Sequence, residues 1–428
     1  MSVQASRDDV ATRADAKVAW RLLPLIALAY GISYMDRANI SYAARSMTLD
    51  LHFSAAVYGF GGGLFFVSYA AMEVPSNLIL AQMGARRWLA RIMVTWGLVA
   101  MGMMLVKTPV QFYAMRFLLG LAEAGFFPGV MFYLMRWFPV AMRGRAVSRF
   151  YVAYPLSQVV MGAIAGALLG LQGVGGLSGW QWLFVLEGLP AVLLGIVIFF
   201  ILPENPGEAR FLSTEEKDAL AARLAADDDA PGVSQDHGVL AALRDPRILL
   251  LGLANIGIMG CTYAFNLSMP LIVGDAMGLD AAHTGWLIAA IMAVGACVMI
   301  GAGWFSDRRH ERLFHLAMYL LLQAVAFPVM ALVKSGPLFL IAFVVAILAN
   351  VAVQAVLFLT PGDVLRGRAA ATGLAAVGSI GMVGAFIGPW AWGVAHDATG
   401  SYTAGMEALA VPYIISALIV LGLRRRAP

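Results

Sequence analysis

Apolar residues run in long blocks along this chain, and short polar segments interrupt them at near-regular intervals. Twelve blocks reach the length, about 20 residues, at which a helix crosses the hydrocarbon core of a bilayer. In the first half they cover 20–44, 55–80, 88–106, 111–135, 147–171 and 182–202. The second half supplies 248–273, 284–306, 313–333, 338–360, 369–394 and 405–423. The longest polar interruption, 203–247, carries Glu215-Glu216-Lys217-Asp218 and Asp227-Asp228-Asp229. Within it, Ser213 with Glu216 three residues on is a helix-start signature and predicts one amphipathic surface helix. The pattern thus gives a tail (1–19), a six-helix bundle (20–202), a linker (203–247), a second six-helix bundle (248–423) and a short tail (424–428). The predicted fold class is an all-α membrane protein with twelve transmembrane helices in two pseudo-symmetric bundles.

Composition agrees. The 428 residues are 61% hydrophobic and 13% charged, against ~45–50% and ~25% in ordinary soluble domains. The net charge of +4 is no nucleic-acid footprint, because the basic residues lie in short loops between apolar blocks. Arg86, Arg87, Arg91, Arg143, Arg145 and Arg149 fall on one side with the linker, Arg308, Arg309, Arg312, Arg366, Arg368 and Arg424 to Arg426. The opposite loops offer Arg45, Lys107 and Lys334. The positive-inside rule therefore predicts cytoplasmic termini and linker. Residues 1–21 carry no cleavable-signal pattern. Cys261 and Cys297 lie in apolar stretches without metal-ligand spacing and read as core residues.

An internal repeat accompanies the division. Phe138-Pro139-Val140-Ala141-Met142-Arg143-Gly144-Arg145-Ala146 is echoed by Pro361-Gly362-Asp363-Val364-Leu365-Arg366-Gly367-Arg368-Ala369, with the prolines one step out of register. Repeated halves about an axis normal to the membrane are a common transporter plan, with the site between them at the midplane.

The chemistry is in charges that the apolar blocks should not contain. Asp36 and Arg37, within Tyr34-Met35-Asp36-Arg37-Ala38-Asn39, interrupt the first block, and Glu73, Arg116, Glu123 and Glu187 interrupt later ones. A charge near the bilayer centre costs ~2.5–3.5 kcal/mol on insertion scales, so such residues face a partner or a wet cavity, or lie near a helix end and reach water. Adjacent Asp36 and Arg37 project about 100° apart and should meet different partners. Arg116 and Glu123, seven residues apart, share a helix face about 10 Å apart along the axis. Guanidinium can hold a carboxylate through two parallel hydrogen bonds, which makes Arg37 and Arg116 candidates to anchor an anion. Asp36 and Glu123, each with an arginine in the same block, are candidate proton carriers. The alternative is that these four form fixed ion pairs holding helices together. Glu73, near a helix end, is expected to pair with Arg86 or Arg87, and the sequence leaves Glu187 undecided between packing and function. Tyr34, Tyr69, Tyr154 and Gln158 could hydrogen-bond a polar ligand. Gly59, Gly61 to Gly63, Gly378, Gly381, Gly384 and Gly388 permit close helix contact. No HExxH, CxxC or serine-elbow motif argues for bond-breaking chemistry.

Three segments carry a family resemblance: Tyr34 to Asn39; Arg116-Phe117 through Glu123-Ala124-Gly125-Phe126-Phe127-Pro128; and Gly303-Trp304-Phe305-Ser306-Asp307-Arg308. With them the chain resembles the major facilitator superfamily and, within it, the anion:cation symporter family. His310 stands where a second Gly is usual, and the equivalent first-half loop keeps only Gly84 and Arg86-Arg87. The resemblance implies proton-coupled import of a small organic carboxylate (a sugar acid, a tartrate-like diacid or an aromatic acid) by a carrier in the bacterial inner membrane, expected to be a monomer. By carry-over Arg37 and Arg116 would hold the carboxylate, Asp36 and Glu123 would couple protons, and Tyr34, Tyr69 and Gln158 would line the first-half wall. Gly303, Asp307, Arg308, Arg143 and Arg366 would form the conformational motif. Phe358 replaces a common Trp on the second-half wall, and Gly378 and Met382 replace common Asn, so a less polar second-half wall is expected. Neither cofactor nor metal is implied. The alternative is an exporter or antiporter of an organic anion or drug with the same fold; a membrane sensor or enzyme fits less well.

Overall fold

A computed structural model describes residues 2–228, 245–309, 311–357, 360 and 368–424. The first half consists of α1 (Ser2–Leu51), α2 (Ala55–Met83), α3 (Ala85–Gly102), α4 (Pro109–Glu123), α5 (Phe126–Met135), α6 (Val140–Tyr151), α7 (Ala153–Leu169) and α8 (Gly179–Ile201). A linker helix, α9 (Thr214–Asp228), follows. The second half has α10 (Pro246–Met277), α11 (Ala281–Arg309), α12 (Arg312–Val333), α13 (Gly336–Leu357), α14 (Arg368–Thr399) and α15 (Thr403–Arg424). Twelve spans result, because α4 with α5 and α6 with α7 each make one crossing.

The stretch expected as a tail is helical from Ser2. α1 begins at Ser2 and runs unbroken into the first span, and its N-terminal part packs on α9. Lys17 Nζ lies 2.7 Å from Glu216 Oε1, and Arg223 donates to Asp15 at 2.7 Å. The helix start read from Ser213 is present as a reciprocal box: Ser213 N–H donates to Glu216 and Glu216 N–H to Ser213 Oγ. The hydrogen bond from Lys17, with the Ser213 N–H, holds the Glu216 carboxyl below its ordinary range. A depressed carboxyl stabilises above its unfolded pKa and loses that contribution as pH falls through the folded value. The α1–α9 clasp should therefore loosen on acidification below the ordinary carboxylate range. Amide hydrogen exchange of 214–228 is expected to rise there, and to be already raised at neutral pH in Glu216→Ala.

Arg86 pairs with Glu208 at 3.4 Å rather than with Glu73. The reason is local: Glu204, just beyond α8, accepts the first N–H groups of α3 at Ala85 (2.6 Å) and Arg86 (3.0 Å) and draws that turn toward 204–208. Arg143 satisfies the end of α5, donating to the carbonyls of Phe138 (2.9 Å) and Met135 (3.2 Å). Cys261 is buried, whereas Cys297 is exposed rather than in the core.

The halves meet along α2 with α14, α7 with α11, and α1 with α10. Glycine allows backbone to approach backbone there: Gly59 stands against Pro389, Gly63 against Phe386 and Gly393 against Ala55. All three pairs lie toward the end of the bundle opposite the arginine-rich turns. At that end Asp397 accepts the N–H groups of Ala55 and Ala56, both at 2.9 Å, so a second-half carboxylate caps a first-half helix. Arg45 also reaches across to Asp275. Gly301 and Gly303 of α11 and Gly378 of α14, toward the arginine-rich end, have open space where a Cβ would stand.

Candidate functional site

A cavity of about 1400 Å³, counting the space open to solvent, lies between the halves and draws its lining from both. α1 contributes Tyr34 and Arg37, α4 contributes Arg116, and α7 contributes Tyr154 and Gln158. Tyr34 packs edge-on against Tyr154, and Gln158 Nε2 donates to the Tyr34 carbonyl at 3.4 Å, which joins α1 to α7 at the wall.

The two arginines on this wall are in different electrical situations. Arg37 is ion-paired: its Nε and Nη2 each lie 2.8 Å from Glu123 Oε1, which also accepts from Ser33 Oγ at 2.7 Å. Three donors thus converge on one oxygen, while Glu123 Oε2 has no partner. Tyr34 and Tyr69 lie over the Arg37 guanidinium at 5.3 and 5.1 Å. Tyr69 is not among the residues lining the cavity; it packs on Arg37 instead. Arg116 has no such ion pair. It is buried, and its guanidinium makes long contacts, both 3.4 Å, to the carbonyls of Gly61 and Gly62, with Phe65 beneath it at 5.1 Å. Among the described residues no carboxylate oxygen comes within 4 Å of it. Asp36 acts on it through space without an ion-pair contact, so the guanidinium keeps donors free to meet an anion from the cavity.

Asp36 turns away from that wall, as the 100° offset requires. It is 1% exposed and does not line the cavity. Asn39 donates to its Oδ1 at 3.3 Å, and its Oδ2 is unpartnered.

Glu123 is placed by a break in the fourth span. α4 ends at Glu123, and Gly125 takes φ +85° before α5 begins. The freed carbonyl of Ala124 is taken by Ser76 Oγ at 2.7 Å, and that hydroxyl accepts from Trp88 Nε1 at 3.0 Å. A Cβ at Gly125 would both strain this left-handed backbone and strike Ser76. Gly125→Ala is expected to destabilise the protein by about 1–3 kcal/mol, seen as a lower melting temperature in detergent together with impaired transport.

The second-half wall is mixed. Thr262, Tyr263 and Asn266 of α10, Gln323 of α12, and Asn350 and Gln354 of α13 line the cavity together with apolar residues such as Phe265, Met292, Met299 and Phe327. Asn350 Nδ2 donates to Thr262 Oγ1 at 2.8 Å, which fixes the amide across the bundle. Gly378 and Met382 of α14 bring no amide, as the sequence dictates, and the amides come from α10, α12 and α13. Spacing offered a signal, since Asn350 and Gln354 are four apart on one helix face. Phe358 and Arg366 lie outside the described residues, as does the side chain of Asp307. Gly303 and Arg308 are in the last turns of α11, where Arg308 lies over Trp304 at 5.2 Å.

With fold and cavity in place, comparison with known proteins decides the family. The Major Facilitator Superfamily profile matches residues 26–389. The chain belongs to the Major Facilitator Superfamily. It is 40% identical over 422 residues to a protein of Agrobacterium vitis named "Putative tartrate transporter", covering 98% of this chain and 96% of that one. It is also 37% identical over 406 residues to a "Quinolone resistance transporter" of Acinetobacter baumannii, covering 95% and 92%. In fold it resembles the solved structure of a bacterial homologue of the human lysosomal transporter Spinster, in an inward-facing and occupied conformation. There the TM-score is 0.78 at 17% identity, covering 95% of this chain and 97% of that one. This member of the superfamily is thus a multi-pass membrane transporter of small molecules rather than an enzyme.

Proposed function

We infer that this member of the superfamily is a secondary active transporter that imports a small organic carboxylate with protons by alternating access. Arg116 carries the reading: a buried cation on the cavity wall that, among the described residues, makes no contact ion pair. The substrate carboxylate takes its place beside Arg116 and competes with Glu123 for Arg37. Once Arg37 turns toward the substrate, Glu123 keeps Ser33 as its remaining donor, and an ionised carboxylate so placed out of water takes up a proton. Asp36, which lies among the same arginines, loses its compensation in the same step. Charge neutrality then permits the halves to rock about the filled cavity. The amides and hydroxyls of the second half suit a hydroxylated acid, and the "Putative tartrate transporter" relative supports a tartrate-like diacid. The arginine-rich end faces the cytoplasm on this reading.

Purified protein in liposomes, loaded and given an inward pH gradient, should accumulate labelled tartrate above its equilibrium level and lose that accumulation with a protonophore. A second reading, export of an organic anion or drug, draws on the quinolone-resistance relative. It is favoured instead if cells expressing the protein expel a labelled quinolone and fail to accumulate any carboxylate.

A further inference from the structure

Behind α1, away from the cavity wall that holds the arginines, Asp36 has an acidic neighbour that takes no part in the cycle outlined above. Glu187 of α8 is 4% exposed, and neither of its carboxylate oxygens has a hydrogen-bond partner. It stands against α1, facing Asp36, Asn39 and Tyr42. Asp36 Oδ2, Asn39 Oδ1 and the Tyr42 hydroxyl are buried and unpartnered as well. Buried polar atoms without partners are rare in folded proteins, and each calls for a reason, such as a bridging water or a proton that is exchanged. α3 and α7 also pack on α8, and among the described residues neither brings a titratable group to Glu187.

Two features give the cluster a direction. Asp36 has Arg37, Arg116 and the Arg37-paired carboxylate of Glu123 beside it, whereas Glu187 faces neither arginine. Two carboxylates facing each other out of water do not both ionise, and of this pair Asp36 has the cations to hold the charge. The second feature is access. Asp36 does not line the cavity, but Tyr42 does, and Tyr42 faces Glu187. A coupling acid closed off from the cavity needs a neighbour that can both give and take a proton. Asn39 cannot; Glu187 and Tyr42 can.

We propose that Tyr42 and Glu187 form the proton route between the cavity and Asp36. This rests on the proton-symport reading above. When substrate engages Arg116, a bridging water gives a proton to the Asp36 carboxylate as it takes the proton of Glu187, because the two carboxyls share no direct hydrogen bond. A hydronium ion of the cavity then protonates the Tyr42 hydroxyl oxygen while Tyr42 passes its own proton through a second water to the Glu187 carboxylate, so no tyrosinate forms and one proton has moved from the cavity to Asp36. Return of the half-cycle reverses each transfer.

The test uses the full-length protein in liposomes, with tartrate as the probe and a pH-sensitive dye reading the proton movement that tartrate triggers. Glu187→Gln keeps the shape and removes the exchangeable proton. Substrate-driven proton movement is expected to fall about 100-fold, the scale of losing one positioned proton-transfer group, while tartrate counterflow and thermal-shift binding stay at wild-type values. Glu187→Asp should restore part of the flux, which a packing role alone would not require. If Glu187→Gln does not reach the membrane, Tyr42→Phe carries the test, slowing proton movement several-fold more than it slows counterflow. Proton movement at the wild-type rate in both Glu187→Gln and Tyr42→Phe overturns the proposal and leaves the symport reading standing. A wild-type protein that moves tartrate without any proton removes the symport reading, and this route with it.

Discussion

Arg116→Ala is expected to abolish carboxylate uptake while leaving the substrate-free protein at least as stable as the wild type. The two halves of that expectation have one cause. Arg116 meets two long carbonyl contacts and, among the described residues, no carboxylate within 4 Å, with Asp36 acting on it through space, so the fold gains little from its charge and bears the cost of burying it. Deleting it therefore relieves the empty protein and strips the loaded one of its anchor. A hydrogen bond to a charged group contributes about 1.5–3 kcal/mol, so affinity for tartrate should drop by roughly 10- to 150-fold, by thermal shift or calorimetry. Arg116→Lys should recover part of the affinity, since charge returns without the planar fork that engages both carboxylate oxygens. Arg37→Ala makes the contrast. It orphans Glu123 from its cation, and breaking a buried pair costs about 3–5 kcal/mol, so the empty protein should lose stability as well as transport. If Arg116→Ala lowers the melting temperature as much as Arg37→Ala does, Arg116 is a structural cation and the anion site is elsewhere.

The distinction between those arginines was not legible in the sequence. Both appear there as cations in apolar blocks, and nothing in their spacing says that Glu123 will choose Arg37, 86 positions away, over Arg116 on its own helix face. The choice depends on Gly125, whose left-handed turn ends α4 and presents Glu123 to α1. The twelve spans were legible, because each must be apolar for the length of a bilayer whatever its neighbours are. So was the start of α9, which two side chains and two N–H groups decide locally. The N-terminal stretch reads as a tail because it is polar; its helix is held by α9, a contact between segments about 200 residues apart. The amides of the second-half wall are hidden for a similar reason. Carry-over looked along α14 for amides, and tertiary packing supplies them from three other helices.

Glu123→Gln is the substitution that separates binding from coupling. Glutamine keeps an acceptor for Ser33 and Arg37 and fills the same space, so the break at Gly125 and the packing of Ser76 should survive. What disappears is the charge that neutralises Arg37 and the carboxyl that takes the proton. With two unneutralised guanidinium groups on one wall, a dicarboxylate should bind more tightly, by roughly tenfold if the gain approaches one charge-assisted hydrogen bond. Tartrate counterflow between equal pools needs neither protonation nor release of Arg37 to its old partner, so it should continue. Accumulation driven by a pH gradient should stop at the equilibrium level, because nothing in the Arg37 pair then distinguishes the protonated return from the deprotonated one. Radiolabelled tartrate in liposomes measures all three quantities on one preparation. Accumulation that persists in Glu123→Gln would assign the coupling to Asp36 and its neighbours alone, and the Arg37–Glu123 pair would be a latch that substrate opens rather than a site that carries the proton.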